Sequence, residues 1–196
     1  MKISILGSGK GSNARYLLSE FKSGKLSKVQ DISLFTDSED SQFLKLASEF
    51  RCNAKLVPSP TTSAFIKGQH EADWISTLSG TQPDLIILAG FMKIVGINFI
   101  NHFDGKVINL HPSLLPEFKG LNAIENAYKA KATRTGCTVH WVDDTIDGGD
   151  IIAQAGVQIL ENDCLQSLTS RMHAKEHFLL SQVVCAIADT HTYKNS

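Results

Sequence analysis

Asn109 and His111 stand two residues apart in the stretch Val-Ile-Asn-Leu-His-Pro-Ser-Leu-Leu-Pro, residues 107–116. In an extended chain, residues two apart leave the same face. An amide and an imidazole therefore share one side of a strand that opens with the apolar pair Val107 and Ile108. Pro112 has no N–H to donate and stops further pairing, which puts both groups at a strand tip. That combination suits binding an oxyanion and moving a proton. Asn and His at a strand end also serve as plain turn or surface residues, so the pair needs supporting groups elsewhere in the chain. Asp143, Asp144, Asp147 and Asp150 cluster in one turn. Their spacing is not that of an EF-hand loop, and no Glu closes it. Asp143, Asp144 and Asp150 read as a solvated hairpin loop. Asp147 is different, because Gly148-Gly149 behind it permit a sharp turn and close backbone approach. A carboxylate near His111 would raise the imidazole pKa and fix its orientation.

Two further motifs could carry chemistry. Gly7-Ser-Gly-Lys-Gly-Ser-Asn13 lies between a strand pattern and a helix pattern, where backbone N–H groups and a helix N-terminus can hold a phosphate. It is not a dinucleotide fingerprint, since the third glycine would fall at Ser12, and it lacks the Gly-Lys-[Ser/Thr] of a P-loop. The competing reading is a tight strand-to-helix turn that binds nothing. His173 and His177 are four apart on the last predicted helix, with Glu176 between them. The order His-Ala-Lys-Glu-His is not that of a zinc protease, and no metal is expected. Trp74 and Trp141 read as core or core-edge residues.

The elements that must position these groups follow from periodicity. Strands are predicted at 2–6, 29–36, 54–57, 84–90, 106–110, 136–142 and 151–159. Helices are predicted at 13–22, 40–50, 63–80, 94–101, 121–131 and 165–188. In the helix at 63–80, Phe65, Ile66, Trp74, Ile75 and Leu78 form the buried side, and Pro58 to Thr62 make the loop before it. Strand and helix alternate through the first two-thirds, which implies right-handed βαβ units and a mainly parallel sheet with helices on both faces. The last two strands are joined by a turn and should pair antiparallel. The 196 residues read as one α/β domain of three-layer αβα form, with 189–196 a frayed polar tail.

Composition narrows the partners. A net charge of −1 gives no electrostatic case for nucleic acid or an anionic membrane. No apolar run approaches membrane-spanning length, and the N-terminus is not a signal peptide. Cys52, Cys137, Cys164 and Cys185 form no CxxC pair. They read as reduced, mostly buried thiols of a cytoplasmic protein.

Four segments together resemble one family. They are Gly9 to Asn13, Leu88-Ala-Gly-Phe-Met-Lys-Ile94, Asn109 to Pro116, and Gly136-Cys-Thr-Val-His140 running on to Asp147-Gly-Gly149. They are similar to the phosphoribosylglycinamide formyltransferases, within the folate-dependent formyltransferases, and the likeness extends from residue 1 to about 188. The resemblance implies a Rossmann-like formyltransferase fold and transfer of a formyl group from 10-formyltetrahydrofolate to the glycinamide amine in purine synthesis. It implies that Gly11, Ser12 and Asn13 hold the substrate phosphate, and that His173, Ala174, Lys175 and Glu176 reach its phosphate and ribose. Met92, Lys93, Ile94 and Val95 on one side would enclose the pterin, with Asp143, Asp144, Thr145, Ile146 and Asp147 on the other. Lys67 would face the folate. Asn109, which also borders the folate, His111 and Asp147 would form the catalytic trio. Lys93 stands where Arg is common in the family, His173 where a longer amide or cationic side chain is usual, and Asn122 where His is frequent.

The implied partners are small molecules, with the chain a monomer or homodimer. Other readings stay open on the residues alone. One is a formyltransferase acting on another amine, such as an amino-sugar nucleotide. Another is a dinucleotide-binding oxidoreductase, for which Asp37 could be the ribose-binding acid. A third is a binding-only module, if the trio does not converge.

Overall fold

A run of apolar residues with no polar break belongs in the middle of a sheet covered on both faces. Leu85–Ala89 is such a run, and all five residues are buried. Its side chains alternate between two apolar clusters: Leu85, Ile87 and Ala89 enter one, Ile86 and Leu88 the other. The molecule is therefore built in three layers around this strand.

The computed structural model describes residues 1–59 and 63–194, with side chains of the last helix as far as His191. In chain order the elements are β1 (Lys2–Leu6), α1 (Ser12–Lys22), β2 (Asp31–Thr36), α2 (Phe43–Phe50), β3 (Ala54–Leu56), α3 (Gln69–Ser79) and β4 (Leu85–Ala89). There follow α4 (Ile97–His102), β5 (Val107–His111), α5 (Ala123–Lys129), β6 (Arg134–Trp141), β7 (Ile151–Gln158) and α6 (Leu165–Lys194). The seven strands form one sheet in the order β3-β2-β1-β4-β5-β6-β7. The first five pair in parallel; β5 with β6, and β6 with β7, pair antiparallel. One cluster takes Leu17 and Leu18 of α1, Phe43 and Leu46 of α2, and Leu168, Met172, Leu180 and Val184 of α6. The other takes Trp74 and Leu78 of α3 and Phe99 of α4. Each such side chain, fully buried, contributes about 1.5–3 kcal/mol.

The chain runs outward from β1 to β3, then returns to lay β4 on the other side of β1. Strand order reverses there, and the crevice at the carboxyl ends of such strands is where open α/β sheets bind ligands. Two hydrogen bonds cross it: the Ser8 N–H donates to the Gly90 carbonyl at 3.0 Å, and the Met92 N–H to Ser8 Oγ at 2.9 Å.

Several expectations need correction. Residues 63–68 are not helical; α3 starts at Gln69. The segment instead pairs with the chain after β4, with Ile66 N–H on the Ile94 carbonyl and Ile94 N–H on the Ala64 carbonyl. Phe65 is consequently 50% exposed rather than buried, while Ile66, Trp74 and Leu78 are in the core. Likewise α4 starts at Ile97, not 94. The last helix runs to Lys194, through most of the segment expected to fray. Ala188 is buried, and His191 Nε2 lies 3.6 Å from Asp84 Oδ1, so this end is tied to the body of the protein. Only Cys137 is fully buried; Cys52 and Cys185 are half-buried and Cys164 is exposed, all as free thiols. The loop expected at 58–62 is irregular at Pro58 and Ser59, and Pro60 to Thr62 lie outside the described residues.

Candidate active site

β5 carries Asn109 and His111 to the end of the sheet, and the antiparallel register sets Asn109 opposite His140 of β6. The chain after β6 turns back through residues 142–150 and brings Asp147 over the β5 tip. Asp147 has φ 48°, a left-handed conformation that Asp tolerates better than most residues. Its Oδ2 accepts the Gly120 N–H at 2.8 Å and lies 3.3 Å from His111 Nδ1. Its Oδ1 accepts Asn109 Nδ2 at 3.2 Å and lies 3.7 Å from His140 Nε2. The three residues Asn109, His111 and Asp147 thus meet.

Protonation follows from the partners. His111 Nε2 is 2.9 Å from the Phe118 carbonyl, while Nδ1 faces the Asp147 carboxylate. Both are acceptors, and only the doubly protonated ring donates to both. His140 Nδ1 is 2.8 Å from the Trp141 carbonyl, which fixes the proton on Nδ1. Its Nε2 then accepts from Asn109 Nδ2 at 3.1 Å, which sets the orientation of the Asn109 amide. Burial opposes ionisation of Asp147. The Gly120 N–H and the nearby His111 outweigh it and hold the carboxyl below its usual value.

On one side of this cluster lies the start of α1. Gly11 is its N-cap, with φ 69° and no side-chain cap, so the first N–H groups of the helix are left for another acceptor. Asn13 Nδ2 donates to Glu176 Oε2 at 3.2 Å, joining α1 to α6, and Asn13 Oδ1 is buried without a hydrogen-bond partner. Burial pushes the Glu176 carboxyl up, against the Asn13 hydrogen bond and the charges of His173 and His111. The α1 site and the β5 tip are therefore electrostatic neighbours. His173, Ala174 and Lys175 are exposed on the same turn of α6.

The segment Met92–Val95 follows β4, the strand beside β5. Met92 is 57% exposed and Val95 is buried. Lys93 Nζ donates to the Ser63 carbonyl at 2.8 Å, and Lys67 is exposed further along the paired strip. The 142–150 loop is rooted here by Val142, which packs against the cluster containing Leu88 and Val95. Within it, Asp143 Oδ1 accepts the Thr145 hydroxyl and N–H, which lowers its pKa. Asp144, Thr145, Ile146 and Asp150 are exposed.

Residues 1–184 match the family model described as formyl transferase. The chain belongs to the formyl transferase family. Its relatives within the family include phosphoribosylglycinamide formyltransferase of Escherichia coli (strain K12), 32% identical over 96% of this chain and 88% of that protein. The trifunctional purine biosynthetic protein adenosine-3 of Chironomus tentans is 34% identical over 99% of this chain, which spans only 14% of that protein's length. Among solved structures, phosphoribosylglycinamide formyltransferase from Anaplasma phagocytophilum superposes with a TM-score of 0.86 at 37% identity, covering 97% of this chain and 88% of that one.

Against this formyl transferase frame, His140 is the residue that sequence reasoning passed over. It is buried and holds the Asn109 amide. The available signal was its place at the end of the Gly136–His140 motif, opposite a polar residue on the neighbouring strand. The Phe118 carbonyl and the Gly120 N–H, which flank His111 and Asp147, are backbone groups and leave no trace in residue type. His177 stands apart from the site. It stacks on Tyr16 with ring centroids 5.2 Å apart, and burial lowers its pKa. Among the described residues, no group of three or more His, Cys, Asp and Glu is arranged to hold a metal ion, and no helix is long and apolar enough to cross a membrane.

Proposed function

We propose that this formyl transferase moves the formyl group of 10-formyltetrahydrofolate to the glycinamide amine of phosphoribosylglycinamide, a step of purine biosynthesis. The observation that carries the reading is the meeting of Asn109, His111 and Asp147 at the β5 tip. Gly11, Ser12, Asn13 and the His173–Glu176 turn would bind the nucleotide. Lys67, Met92 to Val95 and the loop from Asp143 to Asp147 would receive the folate.

The amine attacks the formyl carbon, and a tetrahedral centre forms with a developing oxyanion. One N–H of the Asn109 amide, held in the resting protein by Asp147 Oδ1, is released to donate to that oxygen, while the other stays on His140 Nε2. The Nε2–H of His111, held in the resting protein by the Phe118 carbonyl, turns to the reacting group and supplies charge and a proton. Asp147 faces His111 Nδ1 at 3.3 Å and orients the ring. The amine proton leaves through water beside Asp147; the oxyanion then re-forms the carbonyl as the C–N10 bond breaks, and N10 takes the proton from His111, releasing tetrahydrofolate and the formylated glycinamide.

The test is turnover with 10-formyltetrahydrofolate, offering phosphoribosylglycinamide and an aminated sugar nucleotide as competing acceptors. Formylation of the glycinamide supports the reading, and preference for the sugar refutes it.

A further inference from the structure

We infer that Glu71 is a positioning residue for the folate, because its buried carboxylate locks the Met92–Val95 segment to the strip that carries Lys67. This rests on the proposed reading of those two segments as folate contacts.

Glu71 lies in the first turn of α3 and is 4% exposed. Its Oε1 accepts the Phe99 N–H at 3.0 Å, and its Oε2 accepts the Asn98 side-chain amide at 2.9 Å. Phe99 is the third residue of α4, and N–H groups there have no partner within the helix. The α4 N-cap is Gly96, which offers no side chain to cap with. The cap comes instead from another helix, and a carboxylate is the group best matched to a helix N-terminus.

Gly96 completes the arrangement. Its φ of −86° is open to any residue, so backbone freedom does not explain the glycine. Space does: a Cβ there would sit 2.3 Å from Glu71 Oε1 and 3.0 Å from the Ile66 carbonyl. Gly96 directly follows Val95, and Glu71 follows Lys67 by four residues. The contact therefore closes the end of the two paired strips. Elsewhere those strips meet through the bridge between Phe65 and Ile94 and the hydrogen bonds of Ile66 and Ile94. Phe65 and Met92, on their outer side, are half exposed. An apolar residue at 71 could fill the volume, but it would not fix α4 against α3 in one direction. A buried carboxylate with two donors does.

The experiment begins with wild type, titrated with 10-formyltetrahydrofolate and with phosphoribosylglycinamide separately. Glu71→Ala is expected to weaken folate binding by about tenfold, the loss of one charge-assisted hydrogen bond. The KM for the nucleotide and the kcat at saturating folate should shift much less. Hydrogen exchange of the Phe99 amide should speed up. Glu71→Gln should recover most of the folate affinity, since its amide oxygen still accepts from Phe99 and the Asn98 amide can rotate to match. Gly96→Ala, which keeps Glu71 in the sequence but displaces its carboxylate, should reproduce the folate-selective loss and serves if Glu71→Ala fails to fold. Unchanged folate affinity in Glu71→Ala or Gly96→Ala, or equal weakening of both substrates, overturns the role of Glu71. Failure of wild type to bind the folate overturns the proposed function itself, and with it this inference.

Discussion

Replacing Asp147 by Asn tests the trio while leaving its shape intact. Asn tolerates the left-handed φ of 48° as well as Asp does, so the loop backbone should hold. The chemistry changes more. Three donors face the two carboxylate oxygens: the Gly120 N–H at 2.8 Å, Asn109 Nδ2 at 3.2 Å and His111 Nδ1 at 3.3 Å. An amide offers one oxygen and one NH2. If its oxygen keeps Gly120 and His111, its NH2 confronts the Asn109 NH2, and Asn109 must rotate out of its present direction. If its oxygen keeps Asn109, the NH2 confronts the Gly120 N–H and the His111 N–H. The charge-assisted bond to His111 is worth about 1.5–3 kcal/mol. A misdirected oxyanion donor costs about 2.7–4 kcal/mol. These belong to one network and do not add, so the larger sets the floor. The kcat of Asp147→Asn should fall by at least about two orders of magnitude. The assay is initial rate with both substrates saturating, alongside circular dichroism and substrate titrations. A natively folded Asp147→Asn enzyme within about tenfold of wild-type kcat would refute the reasoning.

Asn109→Ala should also cost about 2.7–4 kcal/mol of barrier, read as a kcat at least a hundredfold lower with an unchanged circular dichroism spectrum. Stability should follow Asp147 in acid. Its folded pKa is depressed, so the stability it lends is present above the ordinary carboxylate value of about 3.9 and is lost as pH falls through the lower folded value. Urea unfolding should therefore show the gap between wild type and Asp147→Asn shrinking on acidification; a gap independent of pH would contradict this. Thiol labelling should be ordered. The Ser167 N–H and hydroxyl lower the Cys164 thiol, whereas burial pushes Cys137 up to about 12, so alkylation followed by mass spectrometry should find Cys164 first and Cys137 only on unfolding.

The sheet is readable in the sequence because its central strand β4 is an unbroken apolar run and its neighbours are mostly apolar. Leu85–Ala89 and Val107–Ile108 have no other sensible home, and the turn between the last two strands required them to be antiparallel. The site was readable where residue type and spacing coincide, at Asn109, His111 and Asp147. It was unreadable where long-range pairing decides. His140 joins the cluster through the register of β5 on β6, beside an irregularity between Val139 and His140 that no local pattern records. Phe118 and Gly120 contribute backbone atoms alone. The segment at 63–68 is not legible as a paired strip because Phe65 and Ile66 fit the helical spacing of Trp74 and Leu78, yet Ile66 N–H donates to the Ile94 carbonyl and Ile94 N–H to the Ala64 carbonyl. The end of α6 is not legible because its polar composition hides a buried Ala188 and the approach of His191 to Asp84.

The role assigned to His111 is tested most directly by one measurement: the single-turnover rate of formyl transfer from 10-formyltetrahydrofolate to phosphoribosylglycinamide in His111→Ala, with binding of each substrate measured on the same preparation. The expected result is a rate at least about a hundredfold below wild type with nucleotide binding retained. Near-normal transfer by correctly folded His111→Ala would contradict the mechanism built on the β5 tip.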